Sequence, residues 1–212
     1  MRKVWSIVGA LAWAACAGGA AQAHPHVFVE ADVGLVVGES GTLERIEYVW
    51  TFDDMYSTFA LQGAPKAGGS PTPEALAQLA EELVKKLEDV DFFTLAAAPD
   101  QDLQTIGAEN ARATMIDGRL RLSFTVRLRA LKGEAPRIDL RVYDPQYIVA
   151  IDLREGARIS APAHCRLETR RPRALAPDEA RQLDDSTRTN QLAPDFGAKL
   201  ASILSLDCAR RD

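Results

Sequence analysis

The sequence predicts an α+β fold in which an antiparallel β-sheet, built from hairpins and a meander, packs against helices. Two observations predict this class. Apolar residues alternate with polar ones over several segments of strand length, and one segment repeats its apolar residues at the spacing of an amphipathic helix. No internal repeat or linker divides the chain, so we expect residues 24–212 to form a single domain.

Residues 1–23 have the composition of a cleavable export signal. A basic start precedes an apolar run over residues 4–21, and Ala21-Gln22-Ala23 forms a small-x-small cleavage site. We therefore expect a periplasmic protein whose mature chain begins at His24. The apolar run is short for a membrane span and no later one is longer, so we expect no membrane insertion of the mature form.

Charge and cysteine content limit the partners and the redox state. The chain carries a formal net charge of −5, and an acidic chain is a poor partner for nucleic acids. Signal cleavage would remove Cys16. The remaining two cysteines, Cys165 and Cys208, are expected to form a disulfide in an oxidising compartment.

The first two strands are predicted to form a hairpin. Apolar residues occupy every second position over residues 27–37 and again over residues 43–52. The turn-forming residues 38–41 lie between these segments. A hairpin with one buried face follows from this pattern.

A helix is predicted after the Pro- and Gly-rich loop at residues 63–72. Thr72 can cap it, Pro73 suits the first helical position, and Glu74 adds an acid to the first turn. Apolar residues then recur at intervals of three and four up to Leu87. One face of this helix should therefore pack on the sheet.

Three further alternating segments continue the predicted sheet as a meander. They cover residues 120–128, 138–142 and 147–153. Asp117-Gly118 favours a tight turn before the first of them and hence a second hairpin. The arginines that alternate along residues 121–129 are expected to form a solvated or salt-bridged face rather than a nucleic-acid site.

The chain past Pro172 is polar, and two short helices are predicted there. Residues 177–183 begin with a proline, and residues 195–206 place their apolar side chains on one helical face. We therefore expect a helical C-terminal tail, clipped to the domain by the disulfide.

Two histidines flank Pro25 at the predicted mature amino terminus. His24 and His26 are two residues apart, so on a strand their side chains would project to the same face. Cleavage would also free the α-amine of His24, which can chelate a metal ion together with the imidazole of the same residue. This arrangement resembles the histidine brace of copper proteins. Nitrogen ligands of this kind suit zinc, nickel, cobalt and copper.

The expected register of the first hairpin adds carboxylates to these histidines. A turn centred between Glu39 and Ser40 makes the inward-facing pairs apolar and sets Asp53 opposite His26. Water or a further ligand would complete a four-coordinate centre. The predicted metal ligands are His24, His26, Asp53 and Asp54.

We do not expect an enzyme. A zinc hydrolase needs a general base beside an open metal site, and Asp54 and Glu30 are only nominal candidates. The sequence contains no Gly-x-Ser-x-Gly elbow, no phosphate-binding glycine loop and no His-Glu-x-x-His motif. His164, beside Cys165, is expected to be a structural or surface residue.

Three segments carry a resemblance to a known family, and with the late cysteine pair they span nearly the whole predicted mature chain. They are His24-Pro25-His26-Val27-Phe28-Val29-Glu30-Ala31, Trp50-Thr51-Phe52-Asp53-Asp54-Met55-Tyr56-Ser57 and Val142-Tyr143-Asp144-Pro145-Gln146-Tyr147. The chain resembles the domain of unknown function 1007 family, exported bacterial proteins that accompany permeases of the nickel/cobalt efflux type. Asp53-Asp54 stands where the family pattern has Asp-Glu, which preserves the charge but shortens the reach.

The resemblance implies a periplasmic accessory to an inner-membrane metal permease. We therefore expect a protein that binds zinc, nickel or cobalt, with copper also possible, at the histidine cluster and exchanges the metal with the permease. Two alternatives stay open. One is a metal-free assembly subunit whose hairpin face binds the permease, and the other is a copper enzyme built on the brace.

Overall fold

Two β-sheets enclose one hydrophobic core in the computed structural model, which describes residues 25–129, 137–154, 157–189 and 192–208. In chain order the strands are Val27–Val37 (β1), Leu43–Phe52 (β2), Lys66–Ala67 (β3), Ser70–Pro71 (β4), Thr94–Ala98 (β5), Gln101–Leu103 (β6), Thr105–Ile116 (β7), Arg119–Leu128 (β8), Arg137–Val142 (β9), Val149–Leu153 (β10), Arg158–Ser160 (β11), Arg166–Arg170 (β12) and Ile203–Asp207 (β13). The helices are Asp54–Ala60 (α1), Pro73–Glu88 (α2), Pro177–Thr189 (α3) and Gly197–Leu200 (α4).

The larger sheet is mixed, which corrects the expectation of an antiparallel sheet. Its strand order is β10-β1-β2-β8-β7, and β11 also pairs with β1. The two predicted hairpins, β1–β2 and β7–β8, are confirmed and antiparallel, but β10 and β11 both run parallel to β1. Alternation within one strand carries no information about the direction of a partner distant in the chain. Only the tertiary path decides it.

The smaller sheet contains the C-terminal segment, where a helix was predicted over residues 195–206. That prediction is wrong for most of its length, because only α4 is helical and β13 follows it. β13 pairs with both β9 and β12, so Leu204 and Leu206 point into the core. The first predicted helix of this region is confirmed by α3, which is longer than expected.

Aromatic side chains of β2 fill the space between the sheets. Tyr48 and Trp50 are almost fully buried. The Tyr48 hydroxyl is 2.9 Å from the Thr94 hydroxyl of the smaller sheet, and the Trp50 ring stacks near that of Phe93, with centroids 6.5 Å apart. Burial raises the pKa of the Tyr48 hydroxyl well above its ordinary value. The predicted inward face of the first hairpin is thus confirmed.

The predicted helix α2 has the expected start and the expected buried stripe. The Thr72 hydroxyl accepts a hydrogen bond from the backbone N–H of Ala75 at 3.2 Å, and Pro73 is the first helical residue. Ala80, Leu83 and Val84 are buried in the core. No helix in the described part of the chain is long and apolar enough to cross a bilayer.

Cys165 and Cys208 form the disulfide that the sequence predicts. Their Cα atoms are 4.1 Å apart and 43 residues separate them in the chain. Cys165 precedes β12 and Cys208 follows β13, and because Arg166 pairs with Asp207 the bond lies at one end of this antiparallel strand pair. It therefore holds a strand, not the predicted helical tail.

Candidate metal site at the start of the first strand

The hairpin register differs by two residues from the expected one. Val29 faces Phe52 and Ala31 faces Trp50, and a register shift occurs between Val36 and Val37, next to the turn. A shift of two residues leaves every side chain on its predicted face, so alternation alone cannot detect it. Because of this shift Asp53 lies opposite Phe28, and the prediction that it opposes His26 is wrong.

Asp53 connects the start of α1 to β1 through backbone hydrogen bonds. One carboxylate oxygen accepts from the N–H of Tyr56 at 2.7 Å, which makes Asp53 the N-cap of α1. The other oxygen accepts from the N–H of Phe28 at 2.7 Å, and the Asp53 N–H donates to the Phe28 carbonyl at 3.0 Å. Both carboxylate oxygens are therefore already engaged by the protein backbone.

Backbone hydrogen bonds also hold His26 and the next residue, Val27. The N–H of His26 donates to the carbonyl of Ile148 at 2.8 Å, and the N–H of Val27 reaches the same carbonyl at 3.3 Å. His26 is half-buried and directly precedes β1, which lies between β10 and β2 in the larger sheet. His24 lies outside the described residues, so the predicted His24–His26 pair stays a prediction.

Asp144 fixes the turn that carries the Ile148 carbonyl. Its carboxylate is buried and accepts from the N–H groups of Gln146, Ile148 and Val149, at 2.9, 2.8 and 3.0 Å respectively. Three donors on one carboxylate hold a short loop in one conformation. Gly197 packs against this turn, since a Cβ at residue 197 would lie 1.9 Å from the Asp144 carbonyl oxygen.

Glu30 is paired and is a poor general base. Arg119 donates to it at 3.0 Å and Arg154 donates to its other oxygen. The hydrogen bond from Arg119 contributes most to holding the pKa of the Glu30 carboxyl below its usual range. Arg119 also donates to the Phe52 carbonyl at 2.7 Å, so this ion pair ties β1, β2 and β8 together.

Asp54 is the one predicted carboxylate ligand that no described contact occupies. It is exposed in the first turn of α1, where an acid interacts favourably with the helix dipole. Among the described residues no group of three His, Cys, Asp or Glu side chains is close enough to hold a metal ion. The three predicted ligands that are described, His26, Asp53 and Asp54, therefore do not form such a group, and His24 lies outside the described residues.

Helix α1 was not predicted from the sequence, and it carries an exposed apolar surface. Met55 and Phe59 are 67% and 68% exposed, and both line an open cleft of about 800 Å³ beside α1. Ser57 anchors the helix, since its buried hydroxyl donates to the Asp53 carbonyl at 2.6 Å and accepts from the N–H of Leu120 at 2.8 Å. The signal that could have found α1 is Asp53 at an N-cap position followed by an acid.

Similarity to known proteins identifies a family. No curated protein matches the chain significantly. Among solved structures, AChBP from Bulinus truncatus is 10% identical over 89% of this chain and 88% of that chain, with a TM-score of 0.33, a likeness too low to support an argument. The sequence profile of the family described as "Protein of unknown function (DUF1007)" matches residues 9–208. The chain therefore belongs to this family.

Proposed function

We propose that the protein is a periplasmic accessory that binds a divalent transition metal, zinc, nickel or cobalt, and exchanges it with an inner-membrane permease. The observation that supports this most is the anchoring of the residues around His26 by two carboxylates, Asp53 and Asp144. Such anchoring restricts the conformations of the chain around His26 before the metal binds. The loss of conformational entropy on metal binding is therefore smaller.

The nitrogen donors of His24 and His26 carry the proposed site. The reference pKa of an α-amine is near 8, so a metal that binds the amine of His24 after signal removal would displace a proton at modest cost near neutral pH. The exposed carboxylate of Asp54 is the candidate oxygen ligand. Asp53 has a positioning role, because its two carboxylate oxygens accept backbone hydrogen bonds from Phe28 of β1 and from Tyr56 of α1.

Metal titration of the purified mature protein tests the proposal. The protein is exported with its own signal, carries a C-terminal tag without histidine, and is titrated calorimetrically with Zn²⁺, Ni²⁺ and Co²⁺. We expect about one metal per chain, and at least about tenfold weaker binding in the His24→Ala/His26→Ala variant. His164→Ala removes the third histidine and is the matched control, which should bind as the wild type does.

A second form of the protein tests the role of the freed amine. Retaining Gln22 and Ala23 ahead of His24 moves the α-amine away from the His24 imidazole while keeping both histidines. We expect weaker binding in this form. Equal metal stoichiometry in the wild type and the double histidine variant would contradict the proposed site.

A metal-free interaction subunit is the second candidate function, and the exposed apolar surface of α1 favours it. Met55 and Phe59 are more exposed than other large apolar residues of the described chain. Such side chains on a rigid helix are typical of a protein–protein contact. Under this hypothesis the Met55→Ser/Phe59→Ser variant loses co-purification with the permease, chelator has no effect, and Ile106→Ser on β7 is the control.

A further inference from the structure

A shallow cavity of about 460 Å³ lies on the outer face of the larger sheet, and none of its lining residues is a proposed metal ligand. Its lining is rich in arginine although the chain as a whole is acidic. The lining residues are Asp32, Val49, Arg112, Thr114, Arg121, Ser123 and Arg158.

Strand register explains why these residues meet. Asp32 pairs with Val49, Val49 with Ser123, and Ser123 with Arg112, which forms one row across β1, β2, β8 and β7. Arg121 pairs with Thr114 in the adjacent row. Small side chains, those of Val49, Ser123 and Thr114, therefore line the middle of this face. The longer side chains of Arg112 and Arg121 flank them.

Arg158 reaches the cavity from the other edge of the sheet. It belongs to β11 and pairs with Gly34 of β1, a position without a side chain. The parallel edge strand thus brings a third guanidinium toward the two from β7 and β8. Nothing in the local sequence around Arg158 indicates this neighbour, because the pairing depends on the tertiary path.

Two of the three cavity arginines lack a salt bridge within the described residues, whereas Arg119 and Arg127 of β8 each have one. Arg121 has one acidic neighbour, Asp32, at 3.8 Å, and its buried Nε has no hydrogen-bond partner. Within the described residues neither Arg112 nor Arg158 forms a salt bridge. By contrast, Arg119 on the same face pairs with Glu30 at 3.0 Å.

The arginines of residues 121–129 were expected to be solvated or salt-bridged, and Arg121 and Arg127 are salt-bridged while Arg129 is exposed. Three guanidinium groups and one carboxylate line the cavity, and the Glu47 carboxylate lies just outside it over Gly34, where a Cβ would be 3.1 Å from it. Three cationic side chains against these two acids still leave a local positive charge on an acidic chain. Ser123 and Thr114 add hydroxyl donors, and the Ser123 hydroxyl makes only a long contact, 3.4 Å, to the Arg112 carbonyl. Planar guanidinium forks and hydroxyl groups match the geometry of oxyanions.

We propose that this cavity binds a small multivalent oxyanion, a phosphate or a polycarboxylate. The volume admits such an ion with part of its hydration shell. Binding would neutralise the excess positive charge of Arg112 and Arg158, both of which are exposed. The site is separate from the His24–His26 cluster and does not require a metal.

Titration of the mature, metal-free protein with inorganic phosphate and with citrate at low ionic strength tests the proposal. We expect saturable binding of one anion per chain. The Arg112→Gln/Arg158→Gln variant should bind at least about tenfold more weakly. Arg121→Lys keeps the charge but loses the fork, and should also bind more weakly.

Arg127→Gln is the matched control, because Arg127 lies on the same strand as Arg121, pairs with Glu109 at 3.8 Å and does not line the cavity. Near-UV circular dichroism of each variant establishes that it is folded. An equal loss of affinity in Arg127→Gln would indicate diffuse charge attraction and would overturn the proposal. Binding only to vesicles that contain phosphatidylglycerol, with no binding of the free anions, would also overturn it.

Discussion

Two of the four acidic residues in the three family segments, Asp53 and Asp144, bind backbone N–H groups. Asp53 caps α1 and holds the N–H of Phe28, Asp144 holds a turn, and Glu30 pairs with two arginines. Near two histidines, a carboxylate suggests a metal ligand. The same group is also the preferred acceptor for helix starts and tight turns, and only coordinates distinguish these roles.

The first prediction concerns Asp53. Asp53→Ala removes the cap of α1 and leaves the N–H of Phe28 without its acceptor, so we expect the free energy of unfolding to fall by about 2 kcal/mol. Urea denaturation of the metal-free protein measures the change. Asp54→Ala, an adjacent exposed acid, is the control and should cost a few tenths of a kcal/mol, about the size of one helix-dipole contact. Equal losses in the two variants would contradict the assigned role.

At the scale of elements, the choice between helix and strand and the direction of a strand were harder to predict than the presence of an ordered segment. Residues 195–206 fit a helical face, yet their last part alternates equally well and becomes β13. The pairing with β9 and β12 decides the outcome, because a strand between two partners satisfies all its backbone groups. Helix α1 was missed because it is only seven residues long and follows a strand directly.

The C-terminal elements are joined by a cluster of charges around Glu179. Its carboxylate accepts from Arg173 at 2.7 Å, from Lys199 of α4 at 2.8 Å and from the N–H of Ala176 at 2.9 Å. The contact to Ala176 is the Glu half of a capping box at the start of α3. These donors, Arg173 first, hold the pKa of the Glu179 carboxyl well below its usual range.

The second prediction follows from that lowered pKa. A carboxyl whose pKa is lower in the folded than in the unfolded state stabilises the fold above the unfolded value, about 4.3, and loses this contribution as pH falls toward the folded value. We therefore expect Glu179→Gln to be less stable than the wild type at pH 7 and the difference to shrink below about pH 4.3. Thermal melts from pH 7 to pH 3 measure it, with exposed Glu168→Gln as control. A difference that stays constant with pH would refute it.

At the scale of the whole molecule, the disulfide closes a loop that contains α3, α4 and the edge strand β12. Cross-linking restricts the unfolded chain more than the folded one. For a separation of 43 residues the chain-entropy model gives about 4 kcal/mol. Pairing of β12 with β13 is therefore supported covalently as well as by hydrogen bonds.

The third prediction concerns this bond. Cys165→Ser/Cys208→Ser should lower the free energy of unfolding by up to about 4 kcal/mol, measured by urea denaturation. The wild type in the presence of a reductant should behave like the double variant. A wild type that is insensitive to reductant, with a variant of equal stability, would show that the C-terminal segment is held without the bond.

The sequence by itself determined the features that depend on residues near one another in the chain. The inward faces of β1 and β2, the capped start of α2 and the turn at Asp117-Gly118 all follow from local periodicity and local backbone preference. The Cys165–Cys208 pairing also follows from the expected removal of Cys16 with the export signal, because only one pairing then exists.

Tertiary structure alone decided the hairpin register, the parallel edge strands and the strand at the C-terminus. A two-residue shift preserves every face, and strand direction depends on the whole path of the chain, so neither leaves a local signal. The candidate sites follow the same division. The histidines are visible in the sequence, whereas the anchoring of β1 by Asp53 and Asp144 and the meeting of three arginines require residues brought together from distant segments.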